Sequence, residues 1–215
     1  MHAPLRTCEA ALTGRETASM AAALMDARQT ILPKHLFAPG PDAAQLDMIF
    51  SAAATAPDHG QLLPWRLVQV PAASRAALAD VFADALRVRD AQAGDAQLAQ
   101  AREKAHRAPL LLLLVVDGQR GDPAIDLHER IVSAGCAVQN LLLMATALGF
   151  ASALTSGKAL KSAGLRRLFG LTDADHALCF VSVGTARARR PARLRPVSTD
   201  FVRCLSSCGK TAPVL

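Results

Sequence analysis

A chain of 215 residues, 51% of them apolar, is long enough to bury a core of its own and short enough for a single domain. The formal charge of +6 raises nucleic acid as a partner, but Arg187, Arg189, Arg190, Arg193, Arg195 and Arg203 crowd toward the C-terminal end, Tyr is absent, and the seven Phe are scattered. With no zinc-finger or RNP-like pattern and no stacking platform for bases, the composition speaks against nucleic acid.

In chain order, residues 1–19 carry no continuous apolar run and include Glu9 and Glu16, so they read as a flexible N-terminal tail and not as a secretory signal. A short helix spans Met20 to Ala27, and Pro33 forbids its continuation. Asp42 caps a second helix reaching Thr55, with Leu46, Ile49, Phe50 and Ala53 at helical spacing. Pro57-Asp58-His59-Gly60 then makes a tight turn. Proline cannot extend the helix ladder, Asp58 can bond its own backbone, and Gly60 tolerates positive φ, so His59 is presented at a fixed loop position ahead of the single Trp65.

Arg66 to Val70 reads as a strand, followed by polar helices over Ser74 to Ala91 and Asp95 to Arg107. Leu110 to Val116 is an unbroken aliphatic run between Pro109 and Asp117, the mark of a strand covered on both faces. The helix from Ala124 to Leu148 is nonpolar nearly all round, which places it in the core, at a subunit interface, or both. Ser133, Gln139 and Asn140 interrupt its apolar character, so it reads as a buried helix and not a membrane span. A strand over Ala151 to Leu154, a helix over Leu160 to Phe169 and a strand over Ala177 to Val183 complete one domain, residues 20–204, with 205–215 as a C-terminal tail. The order of elements is that of an α+β fold with a mixed central sheet flanked by helices.

Five cysteines, Cys8, Cys136, Cys179, Cys204 and Cys208, form no CxxC pair and have no histidine at metal spacing. That usage fits a reduced, cytoplasmic protein without a structural metal, with Cys136 on a core helix and the tail cysteines exposed. No Ser/His/Asp set, paired carboxylates, P-loop or GxGxxG is present, so the side chains alone supply no acid–base or nucleophilic machinery.

Arg28-Gln29-Thr30, the Pro39-Gly40-Pro41 turn, the APDH…PW block from Ala56 to Trp65, the SAGCAVQN block from Ser133 to Asn140 and Gly149-Phe150 occur in this order. Together they resemble the FMN-dependent nitroreductase family, in particular its small YdjA-type branch, over roughly residues 20–204. The resemblance implies the nitroreductase fold, an intertwined homodimer with two flavin sites at its interface, FMN as cofactor and NAD(P)H as co-substrate. It implies a ping-pong reaction in which NAD(P)H reduces the flavin and leaves before a nitroaromatic, quinone or related acceptor enters. A flavin-binding protein of the same fold with little turnover, sequestering or sensing, is the alternative.

Residue by residue, the resemblance assigns Arg28, Gln29 and Thr30 to the FMN phosphate and ribityl chain, where a guanidinium forks to phosphate and a hydroxyl adds a short bond. Lys34 or His35 takes a further basic position displaced by an apparent insertion, and Arg193 or Arg195 supplies another phosphate contact. Thr55 and His59 reach the flavin from the partner subunit, Thr55 standing where a relative carries Arg, so one positive charge near the flavin is missing. Leu154, Thr155, Ser156 and Gly157 line the ring. Read from the residues themselves, Gln139 and Asn140 need partners between helices or subunits, and Glu129 is an acid near the positive end of its helix.

Overall fold

The computed structural model describes residues 13–188, 191, 194–205 and 211–213. Its organising strand is β3 (Leu110–Asp117), where the aliphatic run predicted a doubly covered strand and every residue from Leu110 to Val116 is buried. Alternation divides the run between two cores. Leu110, Leu112, Leu114 and Val116 face one, and Leu111, Leu113 and Val115 the other.

β3 pairs antiparallel with β2 (Trp65–Gln69) on one side and with β5 (Asp175–Ala186) on the other. β4 (Ala151–Thr155) pairs antiparallel with the free side of β5, giving the order β4-β5-β3-β2, and β1 (Leu36–Phe37) pairs with the end of β5 at Ala186 and Thr185. Among the described residues the one parallel element is the bridge between Thr30 and Ser152, so the sheet is antiparallel throughout its named strands and mixed only there.

The first core lies under α2 (Ala43–Ala53) and α5 (Leu127–Ala147), with Ile49, Ala53, Ala134, Ala137, Val138, Leu141, Leu142 and Ala145 against β3. The second lies under α3 (Arg75–Arg89) and α6 (Ala163–Leu168), with Leu78, Ala79 and Leu165 against β3 and Phe180 of β5, which takes Phe82 and Phe169 edge-on. α4 (Asp95–Glu103) packs on α3. The buried Arg75 guanidinium donates to the carbonyls of Val70, Ala105, Ala108 and Pro109, satisfying backbone oxygens where this layer meets β3.

Helix bounds depart from the sequence expectations where local caps decide. α1 (Gly14–Ala27) begins well before Met20 because Thr13 Oγ1 accepts from Glu16 N while Glu16 Oε2 accepts from Thr13 N, a reciprocal cap that forms without any buried apolar face. The expected N-terminal tail therefore overlaps a helix from residue 14 onward. α2 has the predicted Asp42 cap but stops at Ala53, with Thr55 closing a tighter turn on Ala52. α5 starts at Leu127, three residues late, because the carbonyls of Asp122 and Ile125 are turned to Arg130. Residues 158–161 form a 3₁₀ turn before Ser162 caps α6. Beyond α7 (Ser198–Phe201), β6 (Arg203–Leu205) pairs with β7 (Thr211–Pro213), so part of the expected C-terminal tail is a strand pair.

α5 is long and apolar enough by composition to cross a membrane, yet its Ala134, Ala137, Val138 and Leu141 side is the core of this domain. Its opposite side, with Val132, Gly135 and Gln139, is exposed on the single chain. Met20 and Met25 of α1 are exposed as well, and α1 buries none of its residues.

Candidate functional site

Where α1 ends, Arg28 is the cap residue, its backbone N–H still bonded to Leu24 O. The chain then runs alongside the start of β4, with Thr30 bridged to Ser152 and Ile31 N donating to Ser152 O at 3.0 Å. This stitch makes one wall of a cavity of about 560 Å³ whose polar lining is Asp26, Arg28, Thr30, Gln139, Ser152 and Arg195. Met25, Leu142, Ala153 and Leu154 complete it. Arg28 Nη1 lies 3.5 Å from Thr30 Oγ1, and Arg195 Nη2 lies 3.5 Å from Arg28 O, so both guanidiniums retain most of their donors for something else.

Ser152 is 1% exposed, and its Oγ has no hydrogen-bond partner. An unsatisfied buried hydroxyl is unfavourable by about 1–3 kcal/mol. Two guanidiniums, the Thr30 hydroxyl and the Gln139 amide around one hollow form a donor set suited to a phosphate ester carrying further hydroxyl groups. The fit to the phosphate and ribityl chain of a flavin mononucleotide is therefore good on chemistry alone.

A second group of side chains gathers on α5 away from that lining. Thr55 Oγ1 donates to Ala52 O at 2.8 Å and accepts from Asn140 Nδ2 at 3.0 Å, which gives Asn140 the partner its place required. His59 Nδ1 is 2.7 Å from Glu129 Oε2, in the first turn of α5, with both side chains about half exposed or more. The Pro57-Asp58-His59-Gly60 loop has the predicted chemistry: Asp58 Oδ2 accepts from Leu63 N at 2.6 Å, and Gly60 has φ +68°.

That loop is braced from the next one. Arg120 Nε donates to Leu62 O at 2.8 Å, and a Cβ on Gly121, at φ +70°, would run into Leu62 Cδ2. Arg130, 1% exposed, donates to the carbonyls of Arg120, Asp122 and Ile125 and so fixes the bracing loop. Trp65 Nε1 donates to Ser133 Oγ, tying the end of the APDH…PW block to the SAGCAVQN block.

Of the residues singled out from the sequence, the fold brings Arg28, Thr30, Leu154 and Arg195 to one cavity. Gln29 lies between two of them. Thr55 and His59 sit on the α5 side instead, and Thr155, Ser156 and Gly157 follow Leu154 beyond the lining. Gly157 has an extended backbone, φ −178°, that any residue adopts. Lys34 and His35 are exposed and outside the lining, and the Lys34 charge is felt instead at Glu103, the end of α4. Arg193 lies outside the described residues; Arg187 stacks on Phe37, 4.3 Å from its ring centroid, and Arg203 donates to carbonyls of its own neighbourhood.

Asp26, Gln139 and Ser152 were not among the predicted site residues. Ser152, a hydroxyl between two alanines in a short strand, had no sequence signal beyond its polarity. Burial pushes the Cys179 thiol up to about 11, so it stays protonated at neutral pH. Among the described residues no cluster of His, Cys, Asp and Glu can hold a metal ion.

Comparison with known proteins agrees with this fold. The model of the nitroreductase family matches residues 27–185. A Haemophilus influenzae protein, provisionally named an NAD(P)H nitroreductase, is 35% identical over 173 residues, covering 80% of this chain and 93% of its own length. The similarly named YdjA of Escherichia coli is 28% identical over 183 residues, 83% of this chain and 98% of its own. The NADPH:FMN oxidoreductase of Vibrio harveyi, solved with NAD+, superposes with a TM-score of 0.65 at 18% identity, covering 84% of this chain and 75% of that one. The chain belongs to the nitroreductase family of oxidoreductases. Within it, the relatives it matches are of the small YdjA type.

Proposed function

We propose that this protein is an FMN-dependent oxidoreductase that takes hydride from NAD(P)H and reduces nitroaromatic, quinone or related small-molecule acceptors in a ping-pong sequence. The observation that carries this reading is the cavity itself: Arg28, Thr30, Gln139 and Arg195 converge there within a nitroreductase fold. When bound, FMN supplies the two-electron chemistry that the side chains lack.

In this reading Arg28 and Arg195 hold the phosphate by charge-assisted bonds, and Thr30 adds a hydroxyl contact. Gln139 and Asp26 suit the ribityl hydroxyls. Leu154, 45% exposed at the rim, offers an apolar surface for the ring and excludes water from one side of it. Gln29, Thr155, Ser156, Gly157 and one of Lys34 and His35 complete the cofactor environment.

The working unit is a homodimer whose flavin sites are shared, with Thr55 and His59 contributed by the partner subunit. Three features support it: the outer side of α5 exposes Val132 and Gly135, α1 exposes Met20 and Met25 while burying nothing, and the His59 loop is rigidly held without lining the cavity of its own chain. Thr55 brings no positive charge and spends its hydroxyl on Ala52 and Asn140, which favours a second reading, a flavin-binding protein with little turnover.

One experiment separates the two. Purified protein carrying about one FMN per chain is mixed anaerobically with NADPH or NADH. Rapid bleaching of the flavin, reversed by a nitroaromatic or quinone, supports the reductase; bound flavin that does not bleach supports the binding protein. Colourless protein that fails to take up added FMN contradicts both.

A further inference from the structure

We propose that Glu129 is a positioning residue: it keeps the His59 proton on Nδ1, so that Nε2 faces the ligand as a hydrogen-bond acceptor and takes a hydroxyl or N–H from it. This rests on the flavin reading and its shared site for the identity of the ligand, but the tautomer is argued from the chain's own atoms.

The two groups meet because both of their elements are held. His59 opens a 3₁₀ turn, His59–Gln61, between the Asp58 carboxylate on Leu63 N and the Arg120 guanidinium on Leu62 O. Glu129 stands in the first turn of α5 beside Arg130, whose bonds to the carbonyls of Arg120, Asp122 and Ile125 fix that helix start. An acid near the positive end of its helix explains a Glu at this position, but not a contact of 2.7 Å with a ring 70 residues away in sequence. Stability does not explain the contact either, since a pair whose side chains are 65% and 49% exposed contributes little.

A carboxylate only accepts, so Nδ1 carries the hydrogen between them, and a neutral imidazole has no second one for Nε2. Thr55 is in the same condition. Its one hydroxyl hydrogen goes to Ala52 O and its oxygen accepts from Asn140 Nδ2, which leaves it only acceptor capacity. The cavity is the complement, because Arg28 and Arg195 in its lining only donate. A ligand shared between the two needs an acceptor end for the arginines and donors for His59 and Thr55. FMN has both: its phosphate accepts, and its ribityl hydroxyls and N3–H donate. The His59 side of the site therefore reads the hydroxyl or N–H part of the ligand and not its phosphate.

The test compares wild type, Glu129→Leu and Glu129→Gln as flavin-free full-length proteins titrated at pH 8 with FMN, riboflavin and lumiflavin, alongside the imidazole ¹⁵N shifts of His59. The Leu variant is expected to bind FMN and riboflavin about five-fold more weakly, by equal factors. The Gln variant is expected to stay within about two-fold of wild type, because an amide oxygen accepts from Nδ1–H as the carboxylate does. Lumiflavin, which has N3–H but no ribityl hydroxyls, locates the donor: an equal loss assigns N3–H, no loss assigns a hydroxyl, and either upholds the proposal. FMN affinity unchanged in the Leu variant, or an FMN loss that riboflavin does not share, overturns the contact and leaves the flavin reading standing. A Gln variant as weak as the Leu variant overturns the tautomer in favour of a charge effect. If wild-type protein binds none of these flavins, the flavin reading fails; a His59 proton held on Nδ1 in wild type and released in Glu129→Leu then upholds the positioning, and any other tautomer pattern overturns it.

Discussion

Glu129 Oε2 lies 2.7 Å from His59 Nδ1, joining the first turn of α5 to the loop that precedes β2. A carboxylate has no proton to give, so Nδ1 is the donor and the neutral imidazole presents Nε2 as an acceptor toward solvent or a partner subunit. Both side chains are substantially exposed, which limits the pair to about 0–1 kcal/mol of stability. Glu129→Leu is therefore expected to shift the melting temperature by no more than about 3 °C while releasing the ring to its ordinary tautomer mixture. Imidazole ¹⁵N shifts at pH 8 check this; a His59 signal unchanged in the variant would show that Glu129 does not set the tautomer.

Arg130 behaves oppositely because it is buried with no acidic partner among the described residues and satisfies three carbonyls of the loop that braces Leu62. Arg130→Met fills the volume but strands those oxygens, and the expected loss is about 3 kcal/mol or more by urea denaturation. Arg130→Lys recovers little, since one ammonium cannot reproduce the fork. A Lys variant of wild-type stability would contradict this role.

Asp175 gives the acid limb of stability. Its carboxylate accepts from Arg66 Nη1 at 2.7 Å and from Thr172, and these hold it well below its ordinary 3.8, at about 2. A carboxyl with a depressed folded-state pKa stabilises above its unfolded value and loses that contribution as pH falls through the folded one. The stabilisation, up to about 2 kcal/mol and reduced by solvent around the half-exposed Arg66, is thus complete above about pH 5 and disappears between about pH 4 and pH 2. Asp175→Asn should be less stable than wild type at pH 7, and the gap should narrow as pH falls through that window. A gap that stays constant to pH 2 would refute the assignment.

The parts of the fold legible in the sequence are those where one physical signal dominates. β3 announces itself because Leu110 to Val116 cannot be aliphatic throughout unless both faces are covered, and α2 because Asp42 precedes a helical apolar period. The Pro57–Gly60 loop is readable because Asp58 and Gly60 have few other conformational uses. α1 is not readable from periodicity, since it buries nothing; only the Thr13–Glu16 cap marks its start. The site divides along the same line. Arg28, Thr30, Leu154 and Arg195, all singled out from the sequence, line one cavity, and Ser152 and Gln139 join them through a strand bridge and a helix face that involve residues over a hundred apart in sequence, which no local pattern reports.

The central claim, a flavin site built from the Arg28 cavity of one chain and the His59 loop of the other, is tested most directly by a mixed dimer. Arg28→Ala and His59→Ala are first made as homodimers, each expected to lose FMN, Arg28 through charge-assisted contacts of roughly 1.5–3 kcal/mol. Differently tagged chains are then combined and the heterodimer isolated. If the sites are shared, one site carries both lesions and the other carries none, so flavin returns to half the sites. If each chain serves its own site, every site keeps one lesion, and heterodimers purified without FMN would contradict the shared arrangement.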